Sequence, residues 1–355
     1  MPCLRWKQGE YLAVENLSPR AKESIIPIIE VPELAFDFEL HQVPKTLDKH
    51  LNAFTSRVKN KWGTKQECYV DLHHISLNEP FENGQYPTDF ILNDLIEKKV
   101  KFIPVTRTIE VPLFELAILS HLSTTRKRLC IRASLDEFAE DDFEKIVEEL
   151  LGKYKLIYEN CDLILDLDAI SFEPIDILVS LIIEVLKSKD NINKWNTFGV
   201  IGTSFPKSLA GVPEGLSLLP RHEWEFYILL CKGLQKEKLR IPCFGDYTIN
   251  HPEILSVDPR FLKPKANIRY SITGNWLIAR GLNVRDHKFE QFQQLCKHIV
   301  NSKHFYGYQF SYGDEYIYNC AQNKASSGNL STWRKVGTNH HIELVVQDLA
   351  NLAFF

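Results

Sequence analysis

The sequence lacks the features of a membrane or secreted protein. No window of its 355 residues approaches the roughly 18 consecutive apolar residues of a membrane-spanning helix. The start, residues 1–7, lacks the apolar region of about 7–15 residues that marks a signal peptide. We therefore expect a protein of the cytoplasm that does not associate with a membrane.

The sequence also lacks an excess of positive charge. Its 46 acidic and 42 basic side chains give a formal net charge of −4, whereas a general nucleic-acid binder usually has a pI above about 9. The clearest basic stretch, residues 57–65, fits the solvated end of a helix. This balance argues against general nucleic-acid binding.

Cysteine is sparse, with eight residues spread along the chain and no CxxC pair. Disulfide-stapled modules are short and dense in cysteine, and structural zinc sites draw on closely spaced pairs. Cys68, Cys130 and Cys161 lie in or beside strongly apolar runs, where cysteine behaves as a small hydrophobe. We predict reduced thiols with a structural role.

Eight short apolar runs predict buried parallel strands, because near-continuous hydrophobicity indicates burial on both faces. The runs are residues 25–30, 68–72, 100–105, 128–132, 163–168, 198–202, 239–246 and 267–272. Several of the intervening stretches have the apolar spacing of amphipathic helices, namely residues 90–98, 113–122, 143–151, 175–186 and 223–234.

This alternation predicts an α/β fold, and eight strands match a (β/α)8 TIM-like barrel of about 250 residues. The alternative is an open doubly wound sheet, but no Gly-x-Gly-x-x-Gly turn follows the first strand. Pro252, Pro259 and Pro264 make the eighth unit irregular, and residues 271–278 predict a hairpin turning at Gly274-Asn275. We predict a barrel over residues 1–300 and a C-terminal extension, residues 301–355, packed on it.

Two stretches of the extension stand out. Residues 306–318 are aromatic and alternating, which fits either a hairpin over one end of the barrel or a docking surface rich in tyrosine. Residues 332–341 combine Trp333 and Arg334 with His340 and His341, just before a helix predicted at 342–352. The amides at the start of such a helix attract anions, whereas the alternative makes Asn339 its N-cap.

Polar residues follow most of the predicted strands, at the end where barrel enzymes place their catalytic groups. They are Glu30, Asp71, His73, His74, Arg107, Arg132, Asp166, Asp168, Ser204, Asp246, Tyr247 and Arg269. The set is either a rim of salt bridges or a ligand site. Because residues two apart on a strand point to one side, Asp166 and Asp168 are expected to face the same space.

Short segments along nearly the whole chain resemble the phage-type "beta protein" family. They are WKQGEY (6–11), PIIE (27–30), GDY (245–247), NIRY (267–270), WL (276–277), RG (280–281), WR (333–334) and GTNHH (337–341). This family occurs in phages and bacteria and has no settled biochemical activity. The resemblance implies a role in phage–host conflict and supplies no mechanism.

If the extension folds over the barrel mouth, Arg334, His340 and His341 would join the strand-end residues. One hypothesis is then a metal-assisted hydrolase or phosphodiesterase that acts on a nucleotide or other phosphorylated ligand. Its catalytic residues would be Asp166, Asp168, His340 and Glu30, with His73 as another proton donor. Asp71, Asp166 and Asp168 would hold Mg²⁺ or another divalent cation.

The residues predicted to bind the ligand and its phosphate combine cations with polar and aromatic groups, since arginine grips phosphate bidentately. They are Arg107, Arg132, Arg269, Arg334, Asp246, Tyr247, Trp333 and His341. The alternative hypothesis is a non-catalytic subunit that senses a ligand or binds other defence or phage proteins in an anti-phage complex. The fold alone does not decide between the two.

Overall fold

The structure, a computed structural model, describes residues 1–34, 46–124, 127–253 and 264–352. The chain divides into two compact units. The first unit comprises Met1–Trp6, Ile26–Thr203 and Glu223–Asp246, and the second comprises Lys7–Ile25, Ser204–His222 and Tyr247–Phe355. Residues 247–300 and 301–352, which the sequence assigns to the barrel and to the extension, both belong to the second unit.

The strands in chain order are β1 (Cys3–Leu4), β2 (Ile28–Glu30), β3 (Glu67–Asp71), β4 (Lys101–Thr106), β5 (Leu129–Ser134), β6 (Cys161–Asp166), β7 (Thr197–Gly202), β8 (Gly215–Pro220), β9 (Cys243–Asp246), β10 (Lys265–Ile272) and β11 (Asn275–Asn283). The helices are α1 (Gln8–Glu15), α2 (Pro19–Ser24), α3 (Leu47–Arg57), α4 (Pro87–Glu97), α5 (Pro112–Thr124), α6 (Leu135–Ala139), α7 (Phe143–Tyr154), α8 (Ile175–Lys187), α9 (His222–Glu237), α10 (Val284–His287), α11 (Gln291–Val300), α12 (Tyr312–Ala321) and α13 (Leu330–Ala350).

The first unit is built on an eight-stranded parallel sheet in the order β1-β2-β3-β4-β5-β6-β7-β9. A parallel bridge between Pro2 and Asp246 joins its two edges, so the sheet is nearly closed into a barrel. The predicted (β/α)8 TIM-like architecture is confirmed. Seven of the eight predicted runs contain a strand of this sheet.

The eighth barrel strand is not the predicted one. Its place is taken by β1, which pairs with β2 through Cys3 and Ile28. With two residues, β1 is too short to show any periodicity in the sequence. The predicted run 267–272 lies instead in β10, in the sheet of the second unit.

The five predicted helices of the barrel region are confirmed within about one turn as α4, α5, α7, α8 and α9. The helix α7 shows why the pattern is readable, because Phe143, Val147, Leu150 and Tyr154 are all buried and recur at helical spacing. The residue after the helix, Lys155, adopts the left-handed conformation that is common at this position.

The second unit contains a three-stranded antiparallel sheet in the order β10-β11-β8. The predicted hairpin is β10–β11, and its turn is Thr273-Gly274 rather than Gly274-Asn275, because Asn275 already pairs with Ile272. Gly274 has φ of 74°, a conformation that favours glycine. Pro259, part of the predicted irregular segment, lies outside the described residues.

The two faces of this sheet pack against different parts of the unit. Residues of one face form a core with the helices α11, α12 and α13; this core includes Ile268, Tyr270, Leu277, Ala279, Phe292, Ile317 and Trp333. On the other face, Trp276 and Ile278 pack with Phe205 and Ile249. Alternation along β10 and β11 therefore separates an apolar face from the face that carries Asn267, Arg269 and Arg280.

The aromatic stretch at 306–318 does not form a hairpin, since most of it lies in or just before the helix α12. The last helix also starts earlier than predicted, at Leu330, with Asn329 as its cap: Asn329 Oδ1 accepts the Thr332 N–H at 3.0 Å. Residues 332–341 are thus interior to α13, and the prediction of a helix start with Asn339 as its cap is wrong.

In the described part of the chain, no helix combines the length and the apolarity needed to cross a bilayer.

Candidate functional site

A guanidinium occupies the centre of the polar groups at the carboxyl ends of the barrel strands. Arg132 Nη1 lies 2.9 Å from Glu30 Oε1 and 2.8 Å from Asp71 Oδ2. Its Nη2 lies 2.6 Å from Asp166 Oδ2. The residues come from β2, β3, β5 and β6, so strand ends that are far apart in sequence meet here, as the barrel prediction requires.

Two further arginines and a histidine lie next to the same carboxylates. Arg107 Nη2 lies 2.8 Å from Asp71 Oδ2. His74 Nε2 and Arg5 Nε lie 3.3 and 3.7 Å from Glu30 Oε2. The strand-end cluster of Glu30, Asp71 and Asp166 with Arg5, Arg107 and Arg132 therefore pairs three carboxylates with three guanidinium groups.

The surroundings of Glu30 and Asp71 lower the pKa values of both acids and keep them ionised. Burial by itself raises the pKa of Glu30, but hydrogen bonding to His74 and the charge of Arg132 hold it well below its usual range. Burial acts likewise on Asp71, and Arg107 and Arg132 bring the pKa below its usual range. A carboxylate held ionised in this way is not a proton donor near neutral pH.

The predicted metal ligands Asp71, Asp166 and Asp168 have other contacts within the protein. Within the described ranges no group of three or more histidine, cysteine or acidic side chains is arranged to hold a metal ion. The strand β6 ends at Asp166, and Asp168 has φ of 53°. The Asp168 N–H donates to Asp166 Oδ1 at 2.8 Å. Asp168 therefore lies beyond the strand, outside the period-two alternation that the sequence predicted, and Asp166 Oδ2 binds Arg132.

The other strand-end residues differ in burial and in the unit to which they belong. His73 is exposed, and its N–H donates to Asp71 Oδ1 at 3.0 Å. Asp246 is the buried last residue of β9, in the first unit. Tyr247 is buried and belongs to the second unit.

The tail histidines are part of the interior of the second unit. His340 Nδ1 lies 2.7 Å from Asp314 Oδ2, and His340 Nε2 lies 2.7 Å from the Ser271 carbonyl oxygen. His341 Nδ1 lies 2.7 Å from Ser271 Oγ. A proton donor needs a ring nitrogen that reaches the ligand, whereas both ring nitrogens of His340 are engaged within the protein.

A cavity of about 510 Å³ lies in the second unit, and we call it the arginine pocket. Its described lining residues are Lys207, Ser208, Leu209, Ala210, Ile249, Pro264, Lys265, Asn267, Arg269, Arg280, Leu330, Trp333 and Arg334. Three of them, Arg269, Trp333 and Arg334, belong to the predicted ligand-binding set. Arg280 does not, and the sequence analysis missed it although the segment 280–281 carries part of the family resemblance.

The pairing register explains how Arg280 reaches this pocket. Asn267 and Arg269 lie on one face of β10, and Asn267 pairs with Arg280 of β11, which places Arg280 on that face. Arg334 comes from the second turn of α13. Gly9 of α1 packs against it so closely that a Cβ at position 9 would lie 2.5 Å from Arg334 Cβ.

The arginines of the pocket are poorly compensated. Arg269 Nη1 donates to the Ile249 carbonyl oxygen at 2.7 Å, and its guanidinium stacks over Phe205 at 4.7 Å. Arg280 is only 7% exposed, and its buried Nη1 has no hydrogen-bond partner among the residues that the structure describes. Among the described residues, no carboxylate lies within ion-pair distance of Arg269, Arg280 or Arg334.

Burial lowers the pKa values of two arginines of the pocket, and a neighbouring positive charge adds to the effect at Arg269. Burial and the nearby charge of Arg334 lower the pKa of Arg269 well below its usual value. Burial also lowers the pKa of Arg334, and Glu10 offsets part of this effect. The lysines differ, since Lys207 pairs with Glu253 and Lys265 pairs with Glu214.

Trp333 contributes to the pocket mainly as a fixed wall. Its ring stacks on Phe292 with centroids 4.7 Å apart and an interplanar angle of 5°. Its Nε1 donates to the Ser327 carbonyl oxygen at 2.9 Å. The predicted site residues therefore fall into a strand-end cluster in the first unit and an arginine pocket in the second.

Residues 1–347 match the family model described as Beta protein, a span that includes both regions. No curated protein matches the chain.

Proposed function

Because this chain belongs to the Beta protein family, whose name states no reaction, we propose its function from the charged sites: it binds a phosphate-bearing small molecule in the arginine pocket. The observation that carries the proposal is Arg280. Its guanidinium is buried and lines the pocket, and Nη1 finds no hydrogen-bond partner in the described part of the chain. A buried charge without a partner is costly, and an anionic ligand would remove that cost.

Two further arginines make phosphate the best-suited anion. Arg269 and Arg334 line the same pocket as Arg280 and have no carboxylate at ion-pair distance within the described chain. Guanidinium groups bind phosphate oxygens bidentately and remain charged at neutral pH. Five of the residues that carry the family resemblance line this pocket: Asn267, Arg269, Arg280, Trp333 and Arg334.

Binding is better supported than hydrolysis. The described lining of the pocket contains no acidic, histidine or cysteine side chain that could act as acid, base or nucleophile. In the strand-end cluster, the carboxylates are already paired with arginines. A hydrolase or phosphodiesterase reaction, a divalent cation and a role in phage–host conflict stay predictions.

The test is calorimetric titration of the full chain with inorganic phosphate. We expect binding by the wild type and a loss of roughly tenfold or more in affinity for Arg280→Gln, because a hydrogen bond to a charged group contributes about 1.5–3 kcal/mol. Arg285→Gln is the matched control, since Arg285 is exposed in the same unit and does not line the pocket. Equal phosphate affinity in all three proteins would refute the proposal.

A further inference from the structure

The arginine pocket has a second, apolar wall. Leu209, Ala210, Ile249 and Leu330 line it together with the arginines. Leu330 is 52% exposed at the first residue of α13. An exposed leucine is ordinary by itself. Here it lines the same pocket as three arginines that have no carboxylate at ion-pair distance in the described chain.

The size of the pocket also exceeds what a small anion needs. A volume of about 510 Å³ falls within the range of roughly 300–1,000 Å³ found for pockets that enclose organic ligands. An inorganic phosphate bound by the arginines would leave the apolar wall uncovered.

The charge of the pocket favours a doubly ionised phosphate. Three guanidinium groups line it, and within the described ranges none of them has a carboxylate at ion-pair distance. A phosphate monoester carries about −1.5 to −2 at neutral pH, whereas a diester carries one negative charge. The monoester therefore compensates more of the positive charge.

We infer that the arginine pocket takes a phosphate monoester with an apolar or flat organic body, whose phosphate binds Arg269, Arg280 and Arg334 and whose body covers Leu209 and Leu330. This inference rests on the proposed function and narrows its ligand class. Phe292 occupies one face of Trp333, and Leu209 and Leu330 offer the body aliphatic contact. Ser208 and Asn267 supply polar contacts beside it.

The experiment compares four probes on the full chain by calorimetry: inorganic phosphate, adenosine monophosphate, cyclic adenosine monophosphate and hexyl phosphate. We expect both monoesters to bind at least about tenfold more tightly than inorganic phosphate, since covering apolar surface adds affinity. The cyclic diester should bind about tenfold more weakly than the linear nucleotide. The nucleotide and the alkyl ester distinguish a nucleoside body from a purely aliphatic one.

Leu330→Ser isolates the contribution of the apolar wall. It should weaken monoester binding several-fold and leave phosphate affinity unchanged, whereas Leu282→Ser, which changes an exposed leucine of β11 outside the pocket, should alter neither. Equal affinity for phosphate and the monoesters, or for the cyclic and linear nucleotides, would overturn this inference and leave the proposed function standing. Binding of none of the probes would overturn the proposed function itself.

Discussion

His340 Nδ1 and Asp314 Oδ2 lie 2.7 Å apart, and neither side chain is exposed to solvent. The Tyr270 hydroxyl donates to Asp314 Oδ1 at 2.7 Å, and the Ser311 hydroxyl donates to Oδ2 at 2.5 Å. Such a buried network is stabilising only while each member keeps its partners. The adjacent pair His340 and His341 thus contributes hydrogen bonds to the interior of the second unit.

Acid should weaken this network. Burial by itself raises the pKa of Asp314, but His340, Ser311 and Tyr270 bring it below its usual range. The stabilisation is therefore present above the unfolded pKa of about 3.9 and lost as pH falls through the lower folded value. Asp314→Asn should cost about 3 kcal/mol at pH 7, and the difference from wild type should narrow below about pH 4, as measured by urea unfolding.

Asp286→Asn is the control, since Asp286 is exposed in α10. It should change the free energy of unfolding little at either pH. A difference between Asp314→Asn and wild type that stays constant from pH 7 to pH 3 would show that the charge of Asp314 does not stabilise the fold.

Removing Arg132 should destabilise the barrel strongly. Arg132→Met leaves Glu30, Asp71 and Asp166 without their shared cation. We expect a loss of about 3–5 kcal/mol near neutral pH. Because the pKa values of the buried acids then rise, the loss should shrink as the pH is lowered toward 5. Chemical denaturation at several pH values measures both effects.

Arg5→Met provides the comparison for Arg132→Met. The Arg5 contacts, 3.7 Å to Glu30 and 3.8 Å to Glu33, are longer, and we expect a loss below about 1 kcal/mol. An equal loss in the free energy of unfolding for the two variants would show that Arg132, despite its central position, stabilises the barrel no more than Arg5 does.

Gly9→Ala should lower the stability of the second unit and displace Arg334 in the arginine pocket. A Cβ there would lie 2.5 Å from Arg334 Cβ and Cγ, so α1 or Arg334 must move. Alanine normally stabilises a helix by about 0.5–1 kcal/mol over glycine. That gain should appear for Gly152→Ala in α7, where the added methyl meets nothing within 4 Å. Thermal unfolding should show opposite shifts, and a higher Tm for Gly9→Ala would contradict the packing described.

His121 should make stability depend on pH in a milder range. Burial lowers its pKa to about 4, below the unfolded value of about 6.5. The unfolded chain therefore binds the proton first, and stability should fall as the pH drops from about 6.5 to 4. His121→Phe retains a ring against Phe102, whose centroid lies 5.2 Å away, and should flatten this part of the profile. An unchanged slope would assign the pH dependence to other groups.

Arg280→Leu should separate stability from binding. It removes a buried guanidinium whose Nη1 has no hydrogen bond, and replacement of buried charge by an apolar side chain is often neutral or stabilising. We expect an unchanged or higher Tm without ligand and little stabilisation by phosphate. A clear drop in Tm for Arg280→Leu, with no change for Arg285→Leu, would show that Arg280 serves the fold instead.

The barrel could be predicted because its buried parallel strands leave nearly continuous apolar runs. The same local pattern gives no sign of β1, since Cys3 and Leu4 are too few to show a period. The pattern also assigned the run 267–272 to the wrong sheet, because an apolar run indicates a buried strand but not the sheet to which the strand belongs. Chain position alone could not show that Lys7–Ile25 and Ser204–His222 belong with the C-terminal residues.

The candidate site was predicted only in part, for a similar reason. The rule that catalytic groups lie at strand ends correctly predicted that Glu30, Asp71 and Asp166 lie close together. It did not predict that Arg132, 102 residues from Glu30, binds all three carboxylates. The strand period failed at Asp168, where the backbone turns left-handed. The interior of α13 carries buried Thr338, Asn339 and His340, so polar residues there resembled a loop and a cap.

The division of the second unit into three stretches of chain has a consequence for its synthesis. The stretch 7–25 leaves the ribosome early, whereas its partner helix α13 begins at Leu330. At about 5–20 residues per second, the roughly 300 residues between these two stretches take on the order of 15–60 s to translate. During that interval the barrel strands are all made, while Ala13 and Val14, buried in the finished protein, still await the helix against which α1 packs.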